Sequence, residues 1–224
     1  NIKQMAATKS KKSAPTAQDL ISAYMHAQLD GTKPCTNVYQ FCQIAGCNEA
    51  DFYAQFSDLA HLKSSIWEAF MGQASDLVAQ SSDFQQAPAQ EKALSLLFTL
   101  FEVMTANRTY ILHSAEAFKS DLASWGDLKG FRTQYKAWAK EHLSRTQQGP
   151  KAIAQLQSAG TEEAFWIQFM LLFQYWVKDR SKGFEKTDIL IEKSTATFFE
   201  LFMDRPNSNL FDLGKYLIKD FIAH

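Results

Sequence analysis

From Ala164 to Val177 the chain reads Ala-Phe-Trp-Ile-Gln-Phe-Met-Leu-Leu-Phe-Gln-Tyr-Trp-Val, about four helical turns in which only Gln168 and Gln174 interrupt the apolar residues. A helix that covers an ordinary core hides one stripe and shows water the opposite face. This one carries large side chains around almost its whole circumference, so it must be covered on more than one side. It is shorter than the roughly 20 apolar residues of a membrane span. What remains is a helix central to a helical domain, packed on one side against its own core and on the other against a second subunit. Thr161 reads as its N-cap, Glu162 and Glu163 suit the positive end of the helix dipole, and Lys178, Arg180 and Lys182 suit the negative end before Gly183.

The rest of the chain agrees with a helical reading. Hydrophobic residues make up 46% of 224 residues, glycine (9) and proline (5) are scarce, and alternating runs of Val, Ile and Thr are missing. The predicted class is all-α. The net charge of −1 hides an asymmetry: residues 1–16 carry Lys3, Lys9, Lys11 and Lys12 without an acid, while residues 17–80 set two lysines against seven carboxylates. Residues 1–15 read as a flexible basic arm that solubilises the chain or touches phosphate. Its opening residues read as a lead-in to a start at Met5. Three cysteines, Cys35, Cys42 and Cys47, two of them in a half-buried helical pattern, argue against a disulfide framework and for a reducing compartment. With no secretory signal pattern at the front, the expected location is cytoplasmic.

The first helix begins at Thr16, carries Leu20, Ile21, Tyr24, Met25 and Leu29 at helical spacing, and ends at Asp30-Gly31. Thr36 is expected to cap a short second helix with Val38, Phe41 and Cys42 inward. Ala45-Gly46-Cys47-Asn48 then makes a turn in which Gly46 suits positive φ. Asn48 caps a third helix whose Phe52, Tyr53 and Phe56 are expected to face the core, and Asn48-x-x-Asp51 has capping-box spacing. Helix, short glycine turn, helix is the helix-turn-helix pattern.

The stretch from Val38 to Phe56, followed by Ser57-Asp58 and a long amphipathic helix, resembles the DNA-binding half of the TetR family of bacterial regulators. Ala45-Gly46-Cys47-Asn48 and Phe52-Tyr53-Ala54-Gln55-Phe56 match the family's turn and the end of its recognition helix, and the likeness covers about 40 residues, Leu20 to Leu62. The candidate DNA contacts are the arm residues Lys9, Lys11 and Lys12 with Thr36, Gln43, Asn48, Tyr53 and Gln55; for Tyr53 the resemblance implies a phosphate contact, and the alternative is an amphipathic residue at the core edge. The sequence departs from the family where phosphate chemistry would need the match. Glu49, Asp51 and Leu59 stand where basic or small residues and a lysine are usual, and between Asp19 and Leu62 only Lys33 is basic. Carboxylates repel phosphates, and non-specific affinity comes from Lys and Arg.

After the connecting helix, with Leu62, Ile66, Trp67, Phe70, Met71 and Leu77 inward, Ser81 to Pro88 read as a polar linker. Helices follow over Ala89 to Ala106, Tyr110 to Leu122, Leu128 to Gln148 and, as a short piece before Gly160, Lys151 to Ala159. Thr187 and Asp188 start a penultimate helix, Arg205-Pro206-Asn207-Ser208 breaks it, and Leu210 to Ile222 closes the chain. The aromatic content of this half is that of a plain core or of a pocket for a large apolar ligand. The pocket residues would be Phe98, Phe101, Met104, Tyr110, His113, Phe131, Tyr135, Trp138, Phe169, Met170 and Phe173, with Tyr110 and His113 orienting the ligand. His113 and Glu116 share a face, but no third ligand makes a metal site. Lys129, Arg132, Lys136 and Lys140 form a basic stripe, read as a solvated face or as a contact for anionic lipid or an acidic partner. Phosphate loops, nucleophile elbows and metal-protease motifs are missing, so neither an enzyme nor a cofactor is expected.

The sequence therefore predicts three regions: a flexible basic arm (1–15), a helix-turn-helix DNA-binding-like domain (16–62), and a helical ligand-binding and dimerisation domain (63–224). As the resemblance implies, Thr161 to Arg180 and Thr187 to Asp204 would pair with their symmetry mates in a homodimer through Phe165, Trp166, Leu172, Tyr175, Trp176, Ile191, Phe198, Phe199 and Phe202. The partners implied are a second copy, DNA and an apolar small molecule. Two functions follow: a ligand-responsive regulator, or a carrier of a lipid or isoprenoid-like molecule that keeps the fold without the DNA role.

Overall fold

A computed structural model describes residues 14–31, 35–120, 126–143 and 151–204. Lys9, Lys11 and Lys12 of the arm, Lys33, the Arg205 to Ser208 break and the Leu210 to Ile222 helix lie outside the described residues. Among the described residues every regular element is helical, and the chain divides into two compact units, Asn1–Lys63 and Ser64–His224.

The first unit is built from short helices with explicit ends. Helix α1 spans Ala17–Asp30; the Asp19 N–H donates to Thr16 Oγ1 at 3.2 Å, the Thr16 N–H donates back to Asp19 Oδ2 at 2.9 Å, and Gly31 closes the helix in the left-handed region at φ 61°. Helix α2, Val38–Ala45, is capped by Asn37, whose side chain accepts from the Gln40 N–H at 2.9 Å. This corrects the expected Thr36 cap. Thr36 has its N–H and hydroxyl both committed to Gln40 Oε1, at 3.0 and 2.9 Å. Gly46 turns the chain at φ 68°, and α3, Glu49–Tyr53, begins with the reciprocal Asn48–Asp51 box. Edge-on rings join the helices: Tyr24 to Phe41 and Phe41 to Phe52, each at 5.7 Å between centroids. Phe52 and Phe56 are buried, but Tyr53 is 53% exposed, a correction to its expected inward placement. Consecutive side chains on a helix point about 100° apart, and here Phe52 takes the inward direction while Tyr53 turns out.

The second unit takes in most of α4, Leu59–Ala79, followed by α5 (Ala89–Ala106), α6 (Arg108–Ser120), α7 (Lys129–His142), α8 (Lys151–Lys178) and α9 (Glu185–Phe198). A 3-10 turn, Lys182–Phe184, precedes α9 and a π-helical turn, Phe199–Asp204, follows it. Helix α8 packs on α7 and α9, and α5 packs on α9. Ser81 to Pro88 is pinned rather than free, because Phe84 is buried with its ring 5.3 Å from His142 and 6.3 Å from Trp138.

Helix α8 is one 28-residue element running through Gly160, not a short helix followed by a long one that starts at Thr161. Glycine costs a helix only about 1 kcal/mol, and extending an existing helix is far cheaper than starting a new one. The helix also stops at Lys178, before Arg180 and Gly183.

Several expected site residues change role. Phe165, Trp166, Leu172, Trp176, Ile191, Phe198 and Phe199 are buried inside the protomer, which leaves them almost no surface to give a second copy. Phe202 is half-buried. Of the expected contact residues on α8 only Tyr175 stays open, and the outward face is instead Ile167, Leu171 and Tyr175, at 38%, 62% and 41% exposure. His113 is exposed, and Phe98 and Met170 are half-buried. Successive inward turns of α5 and α8 are occupied by other residues of the same helices.

Candidate functional site

In the first unit the outward face of the helix-turn-helix carries Tyr39, Gln43, Asn48, Tyr53 and Gln55, all exposed, together with Thr36 just before α2. Tyr39 has no role in the sequence reading, yet it is 61% exposed. The capping box fixes where α3 starts: Asn48 Oδ1 accepts from the Asp51 N–H at 2.8 Å. Asp51 is half-buried in that structural role, while Glu49 stays exposed. No lysine or arginine occurs among the described residues from 14 to 62. All three cysteines are free thiols, and burial, aided by neighbouring Cys47, pushes the Cys42 thiol up to about 12.

In the second unit the aromatic residues form one continuous ring-to-ring layer between α7 and α8. Tyr135 stacks on Phe165 at 4.9 Å and lies 5.2 Å from Phe169, which is 5.0 Å from Phe131. Phe131 in turn meets Trp67 of α4 at 6.2 Å. Close by, the Glu68 side chain lies where a Cβ on Gly130 would fall, 1.8 Å from Oε1, so any larger residue there would push that flexible carboxylate aside. Phe101, Met104, Tyr110, Phe131, Tyr135, Trp138, Phe169 and Phe173 are all buried. Tyr110 is hydrogen-bonded to Ser114, and burial pushes its phenol up to about 12.

Polar groups inside this layer fall into two kinds. At the C-terminal end of α8 the charged groups are matched, and Trp176 Nε1 is the unpartnered atom there among the described residues. Arg108 donates to the carbonyls of Trp176 at 3.1 Å, Val177 at 3.2 Å and Asp179 at 3.3 Å, supplying partners to the open end of a helix. Its guanidinium lies between the rings of Trp176 and Phe184, 4.3 and 4.4 Å from their centroids. Phe184 is held at φ 62°, a left-handed backbone that costs a non-glycine residue about 1 to 2 kcal/mol. Asp179 accepts from Ser181 through Oδ1 and from Thr187 through Oδ2, four bonds of 2.6 to 3.0 Å. Burial works to raise its pKa, but these bonds outweigh it and hold the carboxyl at about 2.

In the other half of α8 the matching is incomplete. Glu163 binds Arg132 and, at 2.7 Å, Lys136. Burial favours its neutral form, yet the two cations win and keep it below the ordinary carboxylate value. Two members of the expected basic stripe are therefore tied to α8. Arg132 Nε, the Tyr135 hydroxyl and Gln168 Oε1 are buried without a hydrogen-bond partner among the described residues. Burial drives the Tyr135 phenol well above its usual range, so it stays protonated. Gln168 is otherwise used, donating to Ser194 and Thr195 of α9 at 3.0 Å each. Nothing in the sequence marked Glu163 as the partner of the stripe, because the contact spans α7 and α8.

A helix-turn-helix unit followed by a larger helical unit with a buried aromatic layer defines a class of two-part, all-α protein. Residues 92–217 match the family described as Tetracyclin repressor-like, C-terminal domain, and the chain belongs to this TetR-like family. No curated protein matches it by sequence. The chain is similar to the solved structure described as the fatty acid degradation regulator FadR from Bacillus halodurans, at 16% identity over 84% of this chain and 96% of that one and a TM-score of 0.48. Among the described residues no helix is long and apolar enough to cross a membrane, and no three potential ligands gather as a metal site.

Proposed function

We propose that the chain is a ligand-responsive transcriptional regulator of the TetR type, reading DNA as a homodimer through residues 16–62 and binding an apolar small molecule in residues 63–224. The observation that carries this reading is the helix-turn-helix itself: a Gly46 turn, a boxed start to α3 and an exposed face of Tyr39, Gln43, Tyr53 and Gln55. These side chains can donate to phosphate and to base edges. Ligand binding would act by shifting the population of states that differ in the spacing of the two recognition helices. Gel-shift titration against the DNA upstream of its own gene, at two salt concentrations, tests it. The expected result is a sequence-selective complex at low salt, and absence of any such complex ends the DNA-binding reading.

The homodimer would form through Ile167, Leu171 and Tyr175 of α8, with Ile189 of α9 and Leu201 of the turn after it as further exposed large apolar residues. Apolar residues at a spacing of four along one helix make a stripe that water covers poorly. Leu171→Glu is expected to weaken self-association by on the order of tenfold or more, because it buries a charge at the contact. Sedimentation velocity at micromolar concentration reads the change, and an unchanged profile removes this face from the contact.

One observation favours a second reading, a carrier of a lipid-like molecule without a DNA role: no lysine or arginine occurs among the described residues from 14 to 62. Phosphate neutralisation supplies most non-specific DNA affinity. Native mass spectrometry of gently purified protein distinguishes the two, since a carrier retains a bound lipid and makes no DNA complex.

A further inference from the structure

Arg132 and Tyr135 leave two hydrogen-bond donors together on one face of α7. Arg132 Nε and the Tyr135 hydroxyl are both buried without an acceptor among the described residues. Residues three apart on a helix lie side by side, and both side chains meet the same indole: the Arg132 guanidinium is 5.8 Å from the Trp166 ring centroid, and the Tyr135 ring is 5.9 Å from it. One residue further along, Lys136 Nζ is 2.7 Å from Glu163.

A salt bridge whose only task is to tie α7 to α8 is complete once Glu163 meets its cations. It gives no reason for the Nε–H of Arg132, whose side chain is otherwise 42% exposed, and a wholly buried phenol to lie beside it without an acceptor, each bearing the desolvation penalty of an unmade bond. Two cations against one carboxylate also leave the cluster one positive charge in excess. Two donors and one surplus charge suit a monoanion with two acceptor oxygens, and a guanidinium edge fits a carboxylate. A doubly charged phosphate would leave a negative charge uncompensated among aromatic rings.

Resting on the ligand-responsive reading above, we propose that Arg132 and Tyr135, with Lys136 beside them, hold the headgroup of an apolar carboxylate whose hydrocarbon body enters by parting the closed ring layer of Phe131, Phe165 and Phe169, which are 0%, 0% and 1% exposed. The protein should then distinguish an acid from its own ester, a discrimination that packing on aromatic rings cannot provide. A methyl ester keeps a carbonyl acceptor but loses the negative charge and the second equivalent oxygen, so the surplus positive charge is left unmet and the charge-assisted bonds are weakened.

The test uses the full chain with decanoate and 2-naphthoate as aliphatic and aromatic probes, each against its methyl ester, followed by tryptophan fluorescence and thermal unfolding. At least one acid is expected to bind tenfold or more tightly than its ester, and which acid does so identifies the body as a chain or a ring. Tyr135→Phe and Arg132→Lys are each expected to lower affinity for the acid about tenfold, the scale of a charge-assisted hydrogen bond, and to lower ester affinity by less, so that the preference for the acid shrinks. Tyr135→Phe removes only an unpartnered hydroxyl, and its circular dichroism should match the parent. Equal affinity for acid and ester, no binding of either acid, or variants that bind like the parent would overturn the headgroup assignment. Esters that bind without any advantage to the acids would leave ligand binding standing and remove only the headgroup. An acid preference together with a failed gel shift would do the reverse, keeping the headgroup and ending the regulator.

Discussion

Two charged clusters along α8 handle buried polarity differently, although Trp176 Nε1 is left without a partner among the described residues even at the C-terminal end. Around its C-terminal end, Arg108 is spread over three carbonyls and two rings, and both oxygens of Asp179 are filled. Facing α7 about four turns earlier, Glu163 is well paired, but Arg132 Nε and the Tyr135 hydroxyl face no acceptor among the described residues. A satisfied cluster holds structure and resists change, whereas orphaned donors stabilise nothing and remain open to another molecule. Burial alone does not separate the two, since Asp179 and Tyr135 are both buried. Whether each polar atom has a partner does.

The contrast predicts which substitutions damage the fold. The largest effect is expected at Arg108. Arg108→Ala should lower unfolding free energy by about 3 kcal/mol, combining hydrogen bonds from a charged donor with a cation–π contact. Arg108→Lys should recover part of that, since an ammonium keeps the charge but not the planar fork; urea denaturation of both variants measures it. A loss below about 0.5 kcal/mol for the alanine variant would be that of an ordinary surface site and would break the contrast from its structured side.

Asp179→Ala should cost about 2 kcal/mol, since buried N–H and hydroxyl groups of Thr187 lose their acceptor. The pH dependence sharpens this. The folded carboxyl sits at about 2, below the ordinary 3.8, so the folded state holds its proton less tightly than the unfolded chain. The contribution is therefore complete above the ordinary value and is lost as pH falls from there through about 2. Acid titration of stability should show a shallower loss for Asp179→Asn than for the parent across that window, and identical slopes would remove Asp179 from the acid response.

The smallest effect belongs to the unsatisfied cluster. Tyr135→Phe should leave stability unchanged or raise it by up to about 1 kcal/mol, because the hydroxyl it deletes is desolvated without a bond in return. Thermal unfolding of the ligand-free protein measures it. A loss of about 1 kcal/mol or more would mean that the hydroxyl has a partner after all, and the two clusters along α8 would then be alike.

The sequence by itself determined the helices and most of their ends. Thr16 with Asp19, and Asn48 with Asp51, are caps made between residues three apart, and Gly31 and Gly46 mark left-handed turns at single positions. Such contacts lie within one turn of chain, so spacing spells them out. The family could also be recognised, because its turn and the aromatic pattern after it are local. The apolar run of α8 required cover on more than one side, but its sequence could not say which side, since nearly every position is apolar. Only tertiary packing decided that Phe165 and Trp176 go inward while Leu171 stays out, and that Phe52 rather than Tyr53 fills the first unit. It also joined Glu163 to Arg132 and Lys136 across about 30 residues and left Tyr135 without a partner. Those outcomes depend on which helix faces meet, which no local spacing encodes.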